Sequence, residues 1–344
     1  MTKKIELGQF FTKKDLWLKP HIQQFIDSVK FDKIVDPFAG GGHLLKVFSP
    51  LHKTAGYDID STLSWPINDG LVSIPDHSND LCVTNPPYLA KTTAVRFKRD
   101  GTIKYFDQFP QFDDLYLMGL EQCLKSFPYG VAIIPETYQL HPKKTKRLIS
   151  LTVLEENAFD DTDFPVVIIC WGPEDREDYD IYKNEKLVGT NNLLNAKLPT
   201  KKNLSKDLVK FNDINGNLGI VCIDRGDLIG GIKFTESSNI KGPIKHSSRT
   251  STRVMVSTSV DLNQLIDECN IILKQYRTDT LDVFMAPFKG NDNQGLRRRR
   301  LDFTTARLII ENALVRLNPA VGEINPKKSK QVKFANPDLI TEAV

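Results

Sequence analysis

A short run, Leu81-Cys82-Val83-Thr84, passes directly into Asn85-Pro86-Pro87-Tyr88. Four apolar or β-branched residues bounded by a breaker read as a buried strand. Two consecutive prolines supply no N–H and fix φ, so the strand has to stop there, and Pro86 holds Asn85 extended. The chain is thereby committed to a sheet with one strand that ends in rigid carbonyls, a carboxamide and an aromatic ring. The Asn85 side-chain oxygen and the Pro86 carbonyl can both accept from one amino nitrogen, while Tyr88 offers a flat face to a planar ring. A proline-rich turn with a surface aromatic is the alternative, and the tetrapeptide alone leaves both open.

The first half alternates strand-like and helix-like segments, the pattern of an α/β sheet. Helices are expected over residues 15–29, with Pro20 as a break or kink, over 42–48 and over 115–127, where Leu117, Leu120 and Leu124 share a face. Strands are expected over residues 33–36, 54–58, 81–84, 130–135 and 165–171. After Trp171 a charged Gly-Pro-Glu-Asp stretch reads as a linker, which gives domains of residues 1–172 and 173–344. Helices are expected in the second half over residues 261–274 and 304–317.

Composition narrows the classes. The 344 residues are 26% charged and 40% apolar with a net charge of +3, ordinary for a soluble protein, so any basic face is local. Five scattered cysteines form no CxxC pair, which suggests neither zinc nor a disulfide framework and fits a reducing cytoplasm. The longest apolar run, residues 166–171, is far too short to cross a bilayer, and no apolar stretch follows the basic N-terminus. Neither a membrane nor a metal is expected.

Asp36-Pro37-Phe38-Ala39-Gly40-Gly41-Gly42 joins the first strand to the next helix. It lacks the GxGxxG spacing of a dinucleotide site and the Lys-Ser/Thr of a phosphate loop, which points to a ligand without a phosphate chain, or to a turn that only permits packing. Asp58, in Gly56-Tyr57-Asp58-Ile59-Asp60, ends the next strand, where an acidic side chain can accept both hydroxyls of a ribose. Asp60 reads as a helix cap. Asp69, before Gly70, sits where a third strand should end. It can accept from an adenine amino group or form an Asp-Gly turn.

Together these residues resemble the S-adenosylmethionine-dependent N6-adenine DNA methyltransferases. The likeness covers roughly the first half of the chain. Gly8-Gln9-Phe10-Phe11-Thr12 resembles the family's N-terminal cofactor motif, with Lys13 where that motif usually has proline. Residues 36–42 resemble its Asp-x-Phe-x-Gly-x-Gly motif and Asn85 to Tyr88 its catalytic motif, in the gamma order. The resemblance implies a Rossmann-like class I sheet, mostly parallel, with seven strands and helices on both faces. A C-terminal α+β target-recognition domain follows. It implies cofactor contacts from Phe11, Thr12, Asp36, Phe38, Gly40, Asp58, Ile59 and Asp69, and catalysis by Asn85, Pro86, Pro87 and Tyr88. The target base would stack on Tyr88 and on a later aromatic, Phe159, with Phe164 as the alternative.

The implied chemistry is direct methyl transfer to N6 of an adenine flipped out of double-stranded DNA. Accepting both N–H bonds, from Asn85 and Pro86, favours a pyramidal nitrogen and frees its lone pair. Flipping costs a few kcal/mol, of which stacking returns roughly 1–3 kcal/mol. The Tyr88 ring face rather than its hydroxyl is expected to matter. Phosphate contacts are expected from Lys91, Arg96 and Lys98, interleaved with Phe97, Tyr105 and Phe106. Arg249, Arg253 and the run Arg297, Arg298, Arg299 and Arg300 are further candidates. The family often works as the modification enzyme of a restriction-modification system. The implied setting is then a prokaryotic or phage cytoplasm, close to the nucleoid, with a cognate restriction endonuclease as functional partner. RNA adenine methyltransferases, protein glutamine methyltransferases (which share Asn-Pro-Pro-Tyr) and a non-catalytic DNA-binding subunit are the alternatives.

Overall fold

The computed structural model describes residues 16–142, 144–156, 158–159, 164–202, 204–224, 231–241, 250–291 and 297–320. The chain divides into two compact units, Met1–Leu193 and Leu194–Val344.

The first unit opens with α1 (Pro20–Ser28). Pro20 starts this helix rather than kinking it, because the first turn has no use for its missing N–H. Then come β1 (Ile34–Asp36), α2 (His43–Phe48), β2 (Thr54–Gly56) and β3 (Leu81–Thr84). Two short helices, α3 (Lys91–Arg96) and α4 (Asp100–Gln108), precede α5 (Leu115–Ser126), which Asp114 caps by accepting from the Tyr116 N–H. The strands β4 (Tyr129–Pro135), β5 (Leu148–Val153), β6 (Val166–Trp171), β7 (Asp180–Lys183) and β8 (Lys186–Thr190) complete it.

These strands form one eight-stranded sheet in the order β2-β1-β3-β4-β6-β5-β7-β8. The pairs β1–β2, β1–β3, β3–β4 and β5–β7 are parallel, whereas β6 runs antiparallel between β4 and β5, and β8 antiparallel to β7. The expected seven strands are corrected to eight; the sheet is mixed, with the parallel pairs in the majority as expected. No third strand ends at Asp69; a single parallel bridge, Asp58↔Ile67, marks its place. The Asp69-Gly70 turn and Pro75 break the segment before a ladder can grow. The division between the units falls after Leu193, and β7 and β8 are paired onto β5 within the first sheet. Buried Val131, Ile133, Leu151, Val167 and Ile169 fill the centre of the sheet.

The second unit is an α+β arrangement. Its strands β9 (Val209–Phe211), β10 (Leu218–Val221), β11 (Lys233–Glu236) and β12 (Ser251–Val256) form an antiparallel sheet ordered β11-β10-β12-β9. The long helix α6 (Leu262–Thr280), the pair β13 (Ala286–Asn291) and β14 (Arg297–Arg300), and α7 (Phe303–Leu317) follow. None of the described helices is long and apolar enough to cross a membrane.

Candidate active site

β1 and β3 are parallel neighbours, so the glycine bend leaving β1 and the Asn-Pro-Pro-Tyr segment leaving β3 emerge from the same sheet edge. Two contacts join them. Asp36 Oδ1 accepts from the Phe38 N–H at 3.0 Å and from Thr84 Oγ1 at 2.7 Å, tying the end of β1 to the end of β3. The second contact is at Gly119 of α5, where a Cβ would fall 2.9 Å from the Phe38 ring and 3.0 Å from Pro86. A side chain at that position would crowd both the ring of the first motif and the proline of the second. Asp36 is buried, and burial pushes its pKa up to about 7, with Asp58 adding to the rise and its two hydrogen bonds opposing it.

Around the bend, the chain's own groups take up the positions assigned to ligand contacts. Asp58 is buried; its Oδ2 accepts from the Gly40 N–H at 2.8 Å and its Oδ1 from the Asp60 N–H at 2.9 Å. Trp65, which no sequence pattern singled out, donates Nε1–H to the Gly40 carbonyl at 2.8 Å. Its ring lies against Gly42 and Gly56, where a Cβ at either position would come within 2.8 Å of it. Gly42 also has φ 72°, a left-handed backbone that favours glycine. Asp69 accepts from the Leu71 N–H at 3.2 Å and from the Tyr105 hydroxyl at 2.8 Å, so it combines the turn with a tie to α4. Ile59 is exposed. Phe11 and Thr12 lie outside the described residues.

At the end of β3, Asn85 is half-buried and Tyr88 buried. The Tyr88 hydroxyl lies within hydrogen-bond reach of Asn85 Oδ1 and of the Ile133 carbonyl, the latter at 2.7 Å, and its one proton can go to either. Burial, with Asp114 and Tyr116 nearby, drives the Tyr88 pKa well up, so the phenol keeps its proton. The hydroxyl contacts both the Asn85 carboxamide and β4, so the ring is not the side chain's only engaged part. Around the Tyr88 ring stand Phe164 at 5.6 Å and 36°, Tyr116 at 6.3 Å and Phe159 at 6.4 Å, the last two edge-on. Phe159 is fully buried, whereas Phe164 is 37% exposed.

The basic candidates separate. Lys91 is half-buried at the start of α3, and Arg96 and Lys98 are exposed. Arg253 donates to the Ile240 carbonyl at 2.8 Å and the Ile214 carbonyl at 3.4 Å. The four arginines of β14 alternate: Arg297 and Arg299 are buried, and Arg298 and Arg300 half-buried. Arg298 donates Nε–H to the Asp224 carbonyl at 2.9 Å and lies 4.9 Å from the Phe288 ring. The cluster is thus no single basic face, because strand pleating sends alternate side chains inward. Arg249 lies outside the described residues. Among the described residues no group of His, Cys, Asp and Glu is placed to hold a metal ion, and all five cysteines are buried and free.

The first unit is thus a mixed α/β sheet flanked by helices. No protein-family model matches the sequence, and no curated protein does either. Several solved structures are similar in part. One is a modification subunit of a putative type I restriction enzyme from Vibrio vulnificus, 14% identical over 51% of this chain and 47% of that one, with a TM-score of 0.38. A putative class I S-adenosylmethionine-dependent methyltransferase from Listeria monocytogenes is 13% identical over 48% of this chain and 62% of that one, with a TM-score of 0.35. A type I restriction-modification methyltransferase subunit from Streptococcus thermophilus is 15% identical over 52% of this chain and 48% of that one, with a TM-score of 0.37. This chain spans about half of the two restriction-system subunits.

Proposed function

We propose that this chain is an S-adenosylmethionine-dependent DNA methyltransferase that acts on N6 of adenine, as the modification activity of a restriction-modification system. The observation that carries the reading is the meeting of two motifs. The glycine bend and Asn85 to Tyr88 leave adjacent parallel strands and are joined by the Thr84–Asp36 hydrogen bond of 2.7 Å. An amino-group clamp thereby stands beside a bend suited to a nucleoside.

The bend fits a nucleoside on one count that can be checked. The surface of Gly42 and Gly56 already accepts a planar fused bicycle bearing an N–H donor, the Trp65 indole, and adenine is a fused bicycle of similar size. Asp58, Phe38 and the Gly40 carbonyl are the residues that would hold the cofactor, with Trp65 giving way. When bound, S-adenosylmethionine supplies an electrophilic methyl group on a sulfonium. The chain's part is orientation and fixed acceptors. With the Tyr88 hydroxyl donating wholly to Ile133, the Asn85 carboxamide can turn over so that Nδ2 donates to the phenolic oxygen. Oδ1 then faces the target amino group together with the Pro86 carbonyl. Phe164, exposed and nearest to the Tyr88 ring, suits the second stacking surface better than buried Phe159. Lys91, Arg96 and Lys98 suit phosphate contacts.

The test is transfer of a labelled methyl group from S-adenosylmethionine to duplex DNA, RNA or a release factor. Methylated adenine in duplex DNA supports the reading, with transfer abolished by Asn85→Ala while cofactor binding persists. Label in RNA or in a glutamine side chain alone replaces it with the corresponding alternative, and near-normal turnover by Asn85→Ala removes the clamp.

A further inference from the structure

Between Tyr88 and α5 the chain makes one closed excursion. Ala90 and Asp114 form an antiparallel bridge, the Lys91 N–H donates to the Asp113 carbonyl at 2.8 Å, and the Leu89 N–H donates to Asp114 Oδ1 at 3.1 Å. The base of the excursion therefore lies within two residues of Tyr88. Its body is a helical hairpin of α3 and α4, held by buried Ala94, Tyr105 and Phe106 in a cluster with Leu71, Leu89, Leu115 and Met118. The Tyr105 hydroxyl adds the bond to Asp69.

The tip has the opposite character. Phe97 is 60% exposed and Val95 55% exposed. The guanidinium groups of Arg96 and Arg99 lie 5.5 and 6.0 Å from the centre of the Phe97 ring. The tip is nevertheless ordered by its backbone: the Phe97 N–H donates to Thr93, the Lys98 N–H to Val95 and the Arg99 N–H to Ala94, at 3.1, 3.1 and 2.9 Å. Lys98 turns the chain at φ 50°, a left-handed conformation that is costly for a non-glycine residue. Leaving a phenylalanine in water forgoes the gain from burying it. A rigid hairpin thus spends stability to hold an apolar ring out between two cations, with Lys91, Lys98 and Lys104 on the same hairpin.

We infer that Phe97 is a wedge that enters the stack of duplex DNA vacated when the target base swings out, with Arg96 and Arg99 on the flanking phosphates. The inference rests on the methyltransferase reading. A polyanion with flat apolar surfaces matches both the charge and the ring, and apolar side chains inserted between base steps are a known way to hold a duplex open. The six-residue α3 advances about 9 Å from the base of the excursion to its tip.

The experiment first maps the methylated site with the wild-type protein on a pool of random-sequence duplexes. Wild type and Phe97→Ala are then compared on synthetic duplexes in which the target adenine faces either thymine or an abasic site. The expected result is a loss of tenfold or more in kcat/KM for Phe97→Ala on the paired duplex. On the abasic duplex, where the base is already loose, activity returns to within about threefold of wild type. Phe97→Leu should fall between the two, and all variants should bind S-adenosylmethionine like wild type. An equal loss on both duplexes, or no loss on either, overturns the wedge while leaving the methyltransferase reading in place. Failure of the wild-type protein to methylate duplex DNA overturns both.

Discussion

Replacing Asp36 by Asn tests how the two motifs are joined. The carboxyl is buried, and one of its oxygens accepts both the Phe38 N–H and the Thr84 hydroxyl. Its pKa is raised from 3.8 to about 7, chiefly by burial. Below pH 4 the side chain is protonated in the folded and unfolded chain alike, and it contributes no pH dependence. Between pH 4 and 7 the folded protein keeps a proton that the unfolded chain has released, so stability falls as pH rises. Above pH 7 both states are ionised and the full penalty, on the order of 4 kcal/mol for a shift of about three units, stays constant. Linkage with these two pKa values makes the wild-type protein lose about 2 kcal/mol through this group between pH 5.5 and 8. Asparagine keeps the accepting oxygen and never ionises. The assay is urea unfolding at both pH values, followed by tryptophan emission, which reports the first unit alone because Trp17, Trp65 and Trp171 all lie in it. The stability of Asp36→Asn relative to wild type should rise by about 2 kcal/mol from pH 5.5 to 8. Asp114, also raised to about 7, is present in both proteins and cancels from the difference. A difference that does not change with pH refutes a buried, proton-retaining Asp36.

Other substitutions address the remaining contacts. Trp65→Ala empties the surface over Gly42 and Gly56, so the dissociation constant for S-adenosylmethionine by calorimetry should fall about tenfold, equivalent to about 1.4 kcal/mol of displaced indole contacts. Weaker binding would show instead that the indole holds the ligand. Tyr88→Phe leaves the Ile133 carbonyl without its phenolic donor and loosens Asn85, so turnover should drop by about one to two orders of magnitude with cofactor affinity unchanged. A mild effect would restore the ring-only role. Arg147 donates to the carbonyls of Leu124, Phe127, Pro128 and Gly172, linking the end of α5 to the ends of β5 and β6. An ammonium cannot span that set, so Arg147→Lys should lower unfolding stability by about 2–4 kcal/mol, and a loss below 0.5 kcal/mol would refute the clamp.

The parts of the fold that local chemistry dictates were readable from the sequence. β4 and β6 are continuous apolar runs, β3 is cut off by Pro86 and Pro87, and α5 has its leucine face and its Asp114 cap. What could not be read is long-range pairing. The segment after Gly172 is charged and opens with proline, the texture of a linker, yet Asp180 to Lys183 pair in parallel with Ser150 to Val153. Nothing within either segment announces the other. The insertion of β6 between β4 and β5 is equally a property of the assembled sheet. Arg297 to Arg300 are a second case. Four consecutive arginines cannot all face one way on a strand, but which of them turn inward is set by the pairing with β13, which buries Arg297 and Arg299.

At the site, residue types were readable and their partners were not. Asp58, Asp69 and Asn85 are each engaged from within the chain: by Gly40 and Asp60, by Tyr105 and Leu71, and by Tyr88. The physical reason is general. A half-buried acceptor that waits for a ligand loses about 1–3 kcal/mol unless something donates to it meanwhile, and a nearby hydroxyl, amide or indole is the cheapest donor. A sequence shows which acceptors exist but not which donor the fold brings to them. On the proposed reading, binding therefore exchanges hydrogen bonds more than it adds them. The net gain per contact is small, and a molecule that cannot replace every displaced donor leaves an acceptor unpaired. Selectivity for an adenosine-bearing donor and an amino-bearing base would then come from the penalty on poor matches more than from strong attraction to the right one.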